Sequence, residues 1–285
     1  MAAGWRAASR PRGTRRTRWR RRPMADWERQ EGYDLAGKRA LVVGFANPAG
    51  RAITEALAEA GADVAVASAT MDGDEVMAAK RASRAVAGMG RETFSQGWDV
   101  TLPTNVRVGL RQLVKEFGVP SVLVYNADLP LAKPIDKTGD AEFANVQAVN
   151  LSGAFYAARA WVRELDEGER GRLIFVNSIF GERGVNNLSA YAAAKAGMFG
   201  LAASLSQELA PEVTVNSIAT GWMDWTPGRG ADDPAENLLL RFIPMRSFGG
   251  AESLGTLAVL LASDAAGFLR SGQVFRVDGG VSAHL

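Results

Sequence analysis

Tyr191, Lys195 and Ser178 are the residues of this chain whose types and spacing best support chemistry. Tyr191 and Lys195 lie four positions apart, so on a helix they project from the same face. A nearby ammonium group favours the phenolate and lowers the pKa of a tyrosine, which makes the phenol a proton donor and acceptor near neutral pH. Ser178 ends an apolar run that predicts a buried strand, and a hydroxyl at the carboxyl end of such a strand can hold a substrate carbonyl.

A Tyr-x3-Lys spacing alone also fits a helix-surface tyrosine beside a lysine, so the neighbouring elements must decide. A glycine-rich turn follows the first predicted strand and opens the first predicted helix, where backbone amides and the positive helix end bind a dinucleotide pyrophosphate. Its glycines are Gly44 and Gly50, with Ala46 and Asn47 between them. Pro48 fixes φ and removes an amide donor, so we expect it to reshape this turn.

Apolar strands alternate with helices along most of the chain, which predicts an α/β fold with a parallel sheet covered on both faces. The predicted strands are 38–44, 62–67, 93–98, 121–125, 173–177, 213–218 and 274–277. The predicted helices are 52–60, 74–86, 105–117, 142–164, 190–210 and 252–262. We therefore expect a single doubly wound domain with a seven-stranded, mostly parallel sheet.

The composition excludes several classes of site. The 285 residues are 47% apolar and 22% charged, which suits one globular domain with a sizeable core. The chain has no cysteine and a single histidine, His284, so we expect no metal site and no serine–histidine triad. No run of eighteen apolar residues occurs, so we expect no membrane association through a spanning helix.

Residues 1–24 form a basic tail that we expect to be disordered, and residues 25–285 form the domain. Residues 1–23 hold nine arginines and no acidic residue; subtracting them from the 33 basic residues leaves 24 against 31 acidic residues, a net charge of −7. The tail is consistent with a targeting peptide, or with contact to nucleic acid or an anionic membrane. We favour a start at Met24 and expect no nucleic-acid partner.

The strand-end serine, the Tyr-x3-Lys pair and the glycine-rich turn occur in the order found in the short-chain dehydrogenase/reductase family, which this chain resembles from about residue 35 to 280. The resemblance implies a Rossmann-type domain and hydride transfer between a nicotinamide and a carbonyl or secondary alcohol. It implies that Tyr191 exchanges the proton, Lys195 also bonds the nicotinamide ribose, Ser178 orients the carbonyl and Asn150 supports proton resupply.

The resemblance also implies which residues contact the cofactor. We expect these to be Gly44, Ala46, Asn47, Gly50, Ser68, Asp99, Val100, Asn126, Ala127, Tyr191, Lys195 and Gly221. Asp99 and Val100 match the adenine contact, although Asp99 fits a helix cap equally well. Ser68, at the end of the second strand, lacks the carboxylate that would hold the ribose 2′-hydroxyl of NAD, so we favour NADP over NAD. The chain departs from the family pattern at Pro48, Tyr125, Asp128 and Thr220.

The substrate stays open at this point. The segment 243–249 resembles 3-oxoacyl reductases, and sugar or polyol dehydrogenases are the alternative. A nucleotide-sensing regulator without turnover is a further alternative, supported by the departures from the pattern. We interpret residues 222–250 as a substrate lid. By the resemblance we also expect a cytoplasmic homotetramer or homodimer that acts on a small molecule.

Overall fold

A sheet of seven parallel strands forms the centre of the fold. The strands are β1 (Arg39–Val43), β2 (Asp63–Ala67), β3 (Ser95–Gln96), β4 (Val122–Tyr125), β5 (Gly171–Ser178), β6 (Val213–Thr220) and β7 (Val274–Val277). Their order across the sheet is β3-β2-β1-β4-β5-β6-β7, and each neighbouring pair is parallel. The computed structural model describes residues 33–226, 239–266 and 271–283. The predicted α/β fold with a doubly wound sheet is confirmed.

Helices pack on both faces of the sheet. They are α1 (Pro48–Glu59), α2 (Gly73–Gly88), α3 (Pro103–Phe117), α4 (Asp140–Gln147), α5 (Gly153–Val162), α6 (Ser189–Glu208) and α7 (Glu252–Ala262). Alternate residues of β1 divide between the two faces. Leu41 and Val43 join a core with α3, α5 and α6, whereas Ala40 and Val42 join a core with α1, α2 and α7. Burial of each large apolar side chain stabilises the fold by about 1.5–3 kcal/mol.

Three predicted elements differ from those observed. Helix α1 begins at Pro48 rather than Ala52, because the Asn47 side chain caps it by accepting a hydrogen bond from the Ala49 N–H at 3.0 Å, and proline is tolerated in the first turn. The single helix predicted over 142–164 is two helices joined by a π-helical turn, Ala148–Ser152. The third strand is only two residues long.

One predicted segment lies wholly, and another partly, outside the described residues. These are the whole basic tail and, within the predicted lid, residues 227–238. The rest of the lid includes Trp222 and Met223, which follow β6, and a helical stretch at 239–242. Within the described ranges, no helix is long and apolar enough to cross a membrane.

Candidate functional site

The site lies where β1 and β4 are neighbours, which is the point at which the strand order reverses. In open α/β sheets, ligands bind in the crevice outside the carboxyl ends of the strands at this switch point. A cavity of about 790 Å³ lies over the glycine-rich turn and the end of β2. A second cavity, of about 390 Å³, lies over Ser178 and Tyr191, and Asp128 lines both.

Gly44 lets the turn after β1 pass close to the end of β4. Its φ is +101°, and a Cβ at this position would lie 2.6 Å from the Ala127 Cα. The Asn126 side chain holds the two segments together by donating from Nδ2 to the Gly44 carbonyl at 2.9 Å. Pro48 belongs to the first turn of α1 and lines the larger cavity, so it does not close the turn. The predicted turn residues therefore form one side of an open cleft.

A buried acceptor in this cleft fits a nucleotide cofactor. Asn126 Oδ1 is buried and has no hydrogen-bond partner among the residues that the structure describes. Asn126 lines a third cavity, much smaller than the other two, which Asn47, Asp128 and Lys195 also line. A buried acceptor without a donor is costly, so such a group in a cleft suits a ligand that carries hydroxyl donors. The sugar hydroxyls of a nicotinamide dinucleotide have that chemistry.

Glu75 ties the turn to the end of β2, and the sequence analysis did not identify it. Its side chain is buried, and Oε1 accepts from the N–H groups of Phe45 and Ala69, both at 2.9 Å. Oε2 accepts from the N–H of Thr70 at 3.0 Å and from its hydroxyl at 2.5 Å. One carboxylate thus fixes the segments on both sides of the larger cavity.

Three of the predicted cofactor-binding residues make local contacts in the structure, and their role in cofactor binding stays a prediction. Ser68 is fully buried; its hydroxyl donates to the Thr70 carbonyl at 2.7 Å and accepts from the Trp98 N–H at 3.2 Å. Asp99 caps its own turn by accepting from the N–H and hydroxyl of Thr101 at 2.9 and 2.6 Å. Val100 is buried in the core. Gly221, in contrast, lines the smaller cavity.

Tyr191, Lys195 and Ser178 meet at the junction of the cavities. Tyr191 and Lys195 share one face of α6, and the Lys195 Nζ lies 5.3 Å from the centre of the phenol ring. Ser178 ends β5, where its hydroxyl accepts from the Phe180 N–H and donates to the Thr220 carbonyl, both at 3.3 Å. The structure therefore brings the three residues together, as the sequence predicts.

Asp128 occupies a position between Tyr191 and Lys195. The Tyr191 hydroxyl donates to Asp128 Oδ1 at 2.8 Å, and the Lys195 Nζ lies 2.9 Å from the same oxygen. Burial, then the charge of Asp128 and its hydrogen bond, raise the pKa of Tyr191 well above its usual value, while a hydrogen bond with Ser178 acts in the opposite direction. The prediction that this tyrosine has a lowered pKa is wrong for this arrangement, because the phenol is buried and a carboxylate stands beside the ammonium.

Asn150 lies in the π-helical turn and is fully buried. Its Oδ1 accepts from the Leu129 N–H at 3.1 Å, and its Nδ2 donates to the carbonyls of Leu129 and Val146 at 3.0 and 2.9 Å. The amide thereby fixes the residue that follows Asp128. The same turn is anchored to β4, because the Tyr125 hydroxyl donates to the Val149 carbonyl at 2.6 Å.

Comparisons with known proteins agree with this geometry. The family model described as enoyl-(acyl carrier protein) reductase matches residues 44–282. The 3-oxoacyl-[acyl-carrier-protein] reductase FabG of Escherichia coli is 32% identical over 249 residues, which are 87% of this chain and 98% of that protein. The chain belongs to the short-chain dehydrogenase/reductase family. It is therefore an oxidoreductase of that family, as the sequence predicts.

Solved structures of this family have the same fold. A gluconate 5-dehydrogenase from Burkholderia cenocepacia, in complex with NADP and tartrate, superposes with a TM-score of 0.81 at 27% identity, covering 89% of this chain and 98% of its own. A blue fluorescent protein from a metagenomic library, in complex with NADPH, superposes with a TM-score of 0.80 at 27% identity, covering 87% of this chain and 99% of its own.

The smaller cavity gives this member of the family an apolar wall. Phe180 and Trp222 contact each other with ring centres 4.6 Å apart, and Leu129, Val185 and Leu188 also line the cavity. Asp128 and Tyr191 are the titratable side chains among the described residues of this lining. A substrate carbonyl at Ser178 and Tyr191 would therefore have mostly apolar surroundings.

Proposed function

We propose that the protein reduces a carbonyl group carried on an apolar, 3-oxoacyl-like chain, with NADPH as the cofactor. The observation that carries this proposal is the meeting of Ser178 and Tyr191 at the edge of an apolar cavity that adjoins the nucleotide cleft. Those two hydroxyls can bond one carbonyl oxygen, and the wall formed by Phe180 and Trp222 suits an aliphatic chain. The relationship to 3-oxoacyl reductases supports the same substrate class.

Each residue of the site has a separate role in the proposed reaction. The cofactor, held by the Gly44–Gly50 turn and Asn126, supplies the hydride when bound. Tyr191 donates its phenolic proton to the substrate oxygen, and in the reverse direction it accepts that proton. The Ser178 hydroxyl donates a hydrogen bond to the same oxygen and stabilises its developing negative charge. Lys195 contributes a buried positive charge near that oxygen.

The choice of NADPH rests on the larger cavity. No carboxylate occupies position 68, and Glu75 is already engaged by four donors. Arg51 and Arg81 line this cavity and can pair with a 2′-phosphate. Two similar structures hold NADP or NADPH, which supports the same choice.

A fluorescence titration with each cofactor tests this choice. The unchanged protein should bind NADPH more tightly than NADH. Arg51→Ala combined with Arg81→Ala should weaken NADPH binding about tenfold or more and leave NADH binding almost unchanged. Arg107→Ala, an exposed arginine of α3, is the matched control. Equal losses for both cofactors would contradict a role of these arginines in recognising the 2′-phosphate.

The alternative substrates are sugars and polyols, which the relationship to a gluconate dehydrogenase supports. Asn186, Asn187 and Thr226 also line the smaller cavity and can bond hydroxyl groups. A comparison of 3-oxoacyl thioesters with ketoses, using NADPH and Tyr191→Phe as the inactive control, separates the two classes. Binding of NADPH without turnover of any carbonyl would favour the nucleotide-sensing regulator instead.

We also propose that the protein is a cytoplasmic homodimer or homotetramer. Phe143 of α4 and Phe155 of α5 are 45% and 40% exposed, which is high for aromatic side chains and suits a subunit contact. Light scattering on the unchanged protein and on Phe155→Ser tests the assembly. A monomer at micromolar concentration of the unchanged protein would contradict it.

A further inference from the structure

Asp128 is the acidic residue that adjoins all three cavities of the site. Its Oδ1 accepts the phenolic hydrogen of Tyr191 at 2.8 Å and pairs with the Lys195 Nζ at 2.9 Å. The Lys195 side chain is 2% exposed, whereas that of Asp128 is 21% exposed. A single carboxylate oxygen therefore connects the buried phenol and ammonium to the open cleft.

We propose that Asp128 is a further proton-handling residue of the site, which keeps Tyr191 in its protonated form and so extends to higher pH the range in which the enzyme donates a proton to its substrate. This inference rests on the proposed carbonyl reductase function. It assigns a role to the residue that stands where the family pattern has glycine.

Two charged side chains of opposite sign, Lys195 and Asp128, lie around the phenol of Tyr191. Lys195 approaches from α6 and Asp128 from the segment after β4, while β5 contributes the uncharged Ser178. Among the described residues that line the cavity at the phenol, no other side chain titrates. The positive charge that would favour a phenolate is thus met by the negative charge of Asp128, whose Oδ1 lies 2.8 Å from the phenol oxygen and 2.9 Å from the Lys195 Nζ.

Hydrogen bonds to the neighbouring backbone hold Asp128 in position. The Asn150 amide bonds both the N–H and the carbonyl of the next residue, Leu129, at 3.1 and 3.0 Å. That amide itself lies in the π-helical turn and is fully buried. Asn150 therefore acts on the phenol indirectly, as a positioning residue for the segment that carries the carboxylate.

The protons balance in this arrangement. During reduction the O–H bond of Tyr191 breaks, a new O–H bond forms on the substrate oxygen, and the phenolate left behind must regain one proton. The hydride that completes the alcohol comes from the reduced nicotinamide cofactor. The exposed edge of Asp128 can take a proton from water and pass it to the phenolate over the 2.8 Å contact. In oxidation each proton moves in the opposite direction.

The direct test is a titration of the Tyr191 hydroxyl in the protein without substrate. Tyrosinate ultraviolet absorbance is followed against pH for the unchanged protein, Asp128→Asn and Asp128→Gly, each minus a matched protein that also carries Tyr191→Phe. Removal of the carboxylate should lower the titration midpoint of Tyr191 by about 1–3 pH units, the usual effect of one neighbouring charge. Asp136→Asn, an exposed carboxylate on the segment before α4, should leave the midpoint unchanged.

The titration midpoint of Tyr191 decides between the possible roles of Asp128. An unchanged midpoint in both folded Asp128 variants would overturn the proposal. The pH profiles of kcat/KM for reduction and for oxidation give a second readout, and both midpoints should fall with the same variants. A uniform loss of activity without a change of midpoint would indicate a merely structural role. A shifted midpoint in a protein that turns over no carbonyl would leave the role of Asp128 intact and contradict the proposed function.

Discussion

Replacing Glu75 by glutamine should lower both the stability of the fold and the affinity for the cofactor, although the two side chains have the same shape. The carboxylate accepts four hydrogen bonds, two at each oxygen, from Phe45, Ala69 and Thr70. An amide has one acceptor oxygen, and its NH₂ group would face two of these donors. The better orientation puts the nitrogen at the Oε2 position, where the Thr70 hydroxyl can turn and accept from it, so that only the bond from the Thr70 N–H is lost.

The expected cost follows from those bonds. Hydrogen bonds to a charged group contribute about 1.5–3 kcal/mol each and those to a neutral acceptor about 0.5–1.5 kcal/mol, so losing one and weakening the bonds from Phe45 and Ala69 costs about 3–6 kcal/mol. The neutral amide is easier to bury than a carboxylate, which offsets part of that loss. We expect Glu75→Gln to lower the free energy of unfolding by about 2–5 kcal/mol, which an ordinary domain survives. Because the contacts between the turn and the end of β2 weaken, affinity for NADPH and NADH should fall about tenfold, which corresponds to about 1.4 kcal/mol.

Urea unfolding followed by circular dichroism measures the stability, at equal protomer concentration because assembly contributes to it. Asp74→Asn is the matched control on the same helix; it changes one exposed charge in the first turn of α2 and should cost no more than about 1 kcal/mol. A Glu75→Gln protein as stable as this control would refute the reasoning.

Four further predictions concern the elements that frame the site. Gly44→Ala should abolish cofactor binding in a titration, because its Cβ would overlap Ala127 and φ is +101°. Tyr125→Phe should cost about 1–3 kcal/mol in chemical denaturation, because the hydrogen bond from its hydroxyl to the Val149 carbonyl is lost. Burial raises the pKa of both Tyr125 and Tyr191, so the unfolded chain releases these protons first and stability should fall as the pH rises above about 10, less steeply in Tyr125→Phe. Trp222→Ala should raise KM for long acyl substrates more than kcat falls in steady-state kinetics.

Local patterns in the sequence predict well the strands and helices and the clustering of Ser178, Tyr191 and Lys195. Apolar runs such as 173–177 identify buried strands, since a parallel sheet covered on both faces needs them. The i, i+4 spacing of Tyr191 and Lys195 places both on one helix face, and the structure confirms their proximity to Ser178. These inferences depend on contacts close in sequence.

Long-range contacts account for what the sequence analysis missed. Glu75 stands three residues after Asp72, a spacing typical of a helix cap, yet its carboxylate reaches the turn after β1. Asp128 departs visibly from the family pattern, but only the fold shows that it lies between the phenol and the ammonium. Ser68 directly follows β2, and its hydroxyl points into the protein, where it bonds the Thr70 carbonyl and the Trp98 N–H.

The most direct test of the central claim is to measure NADPH binding and carbonyl reduction side by side for the unchanged protein and Tyr191→Phe. The account predicts that both proteins bind NADPH with similar affinity and that turnover falls about 10²–10⁴-fold in the variant, because only the proton donor is lost. Failure of the unchanged protein to bind NADPH at millimolar concentration, or full turnover by Tyr191→Phe, would contradict it.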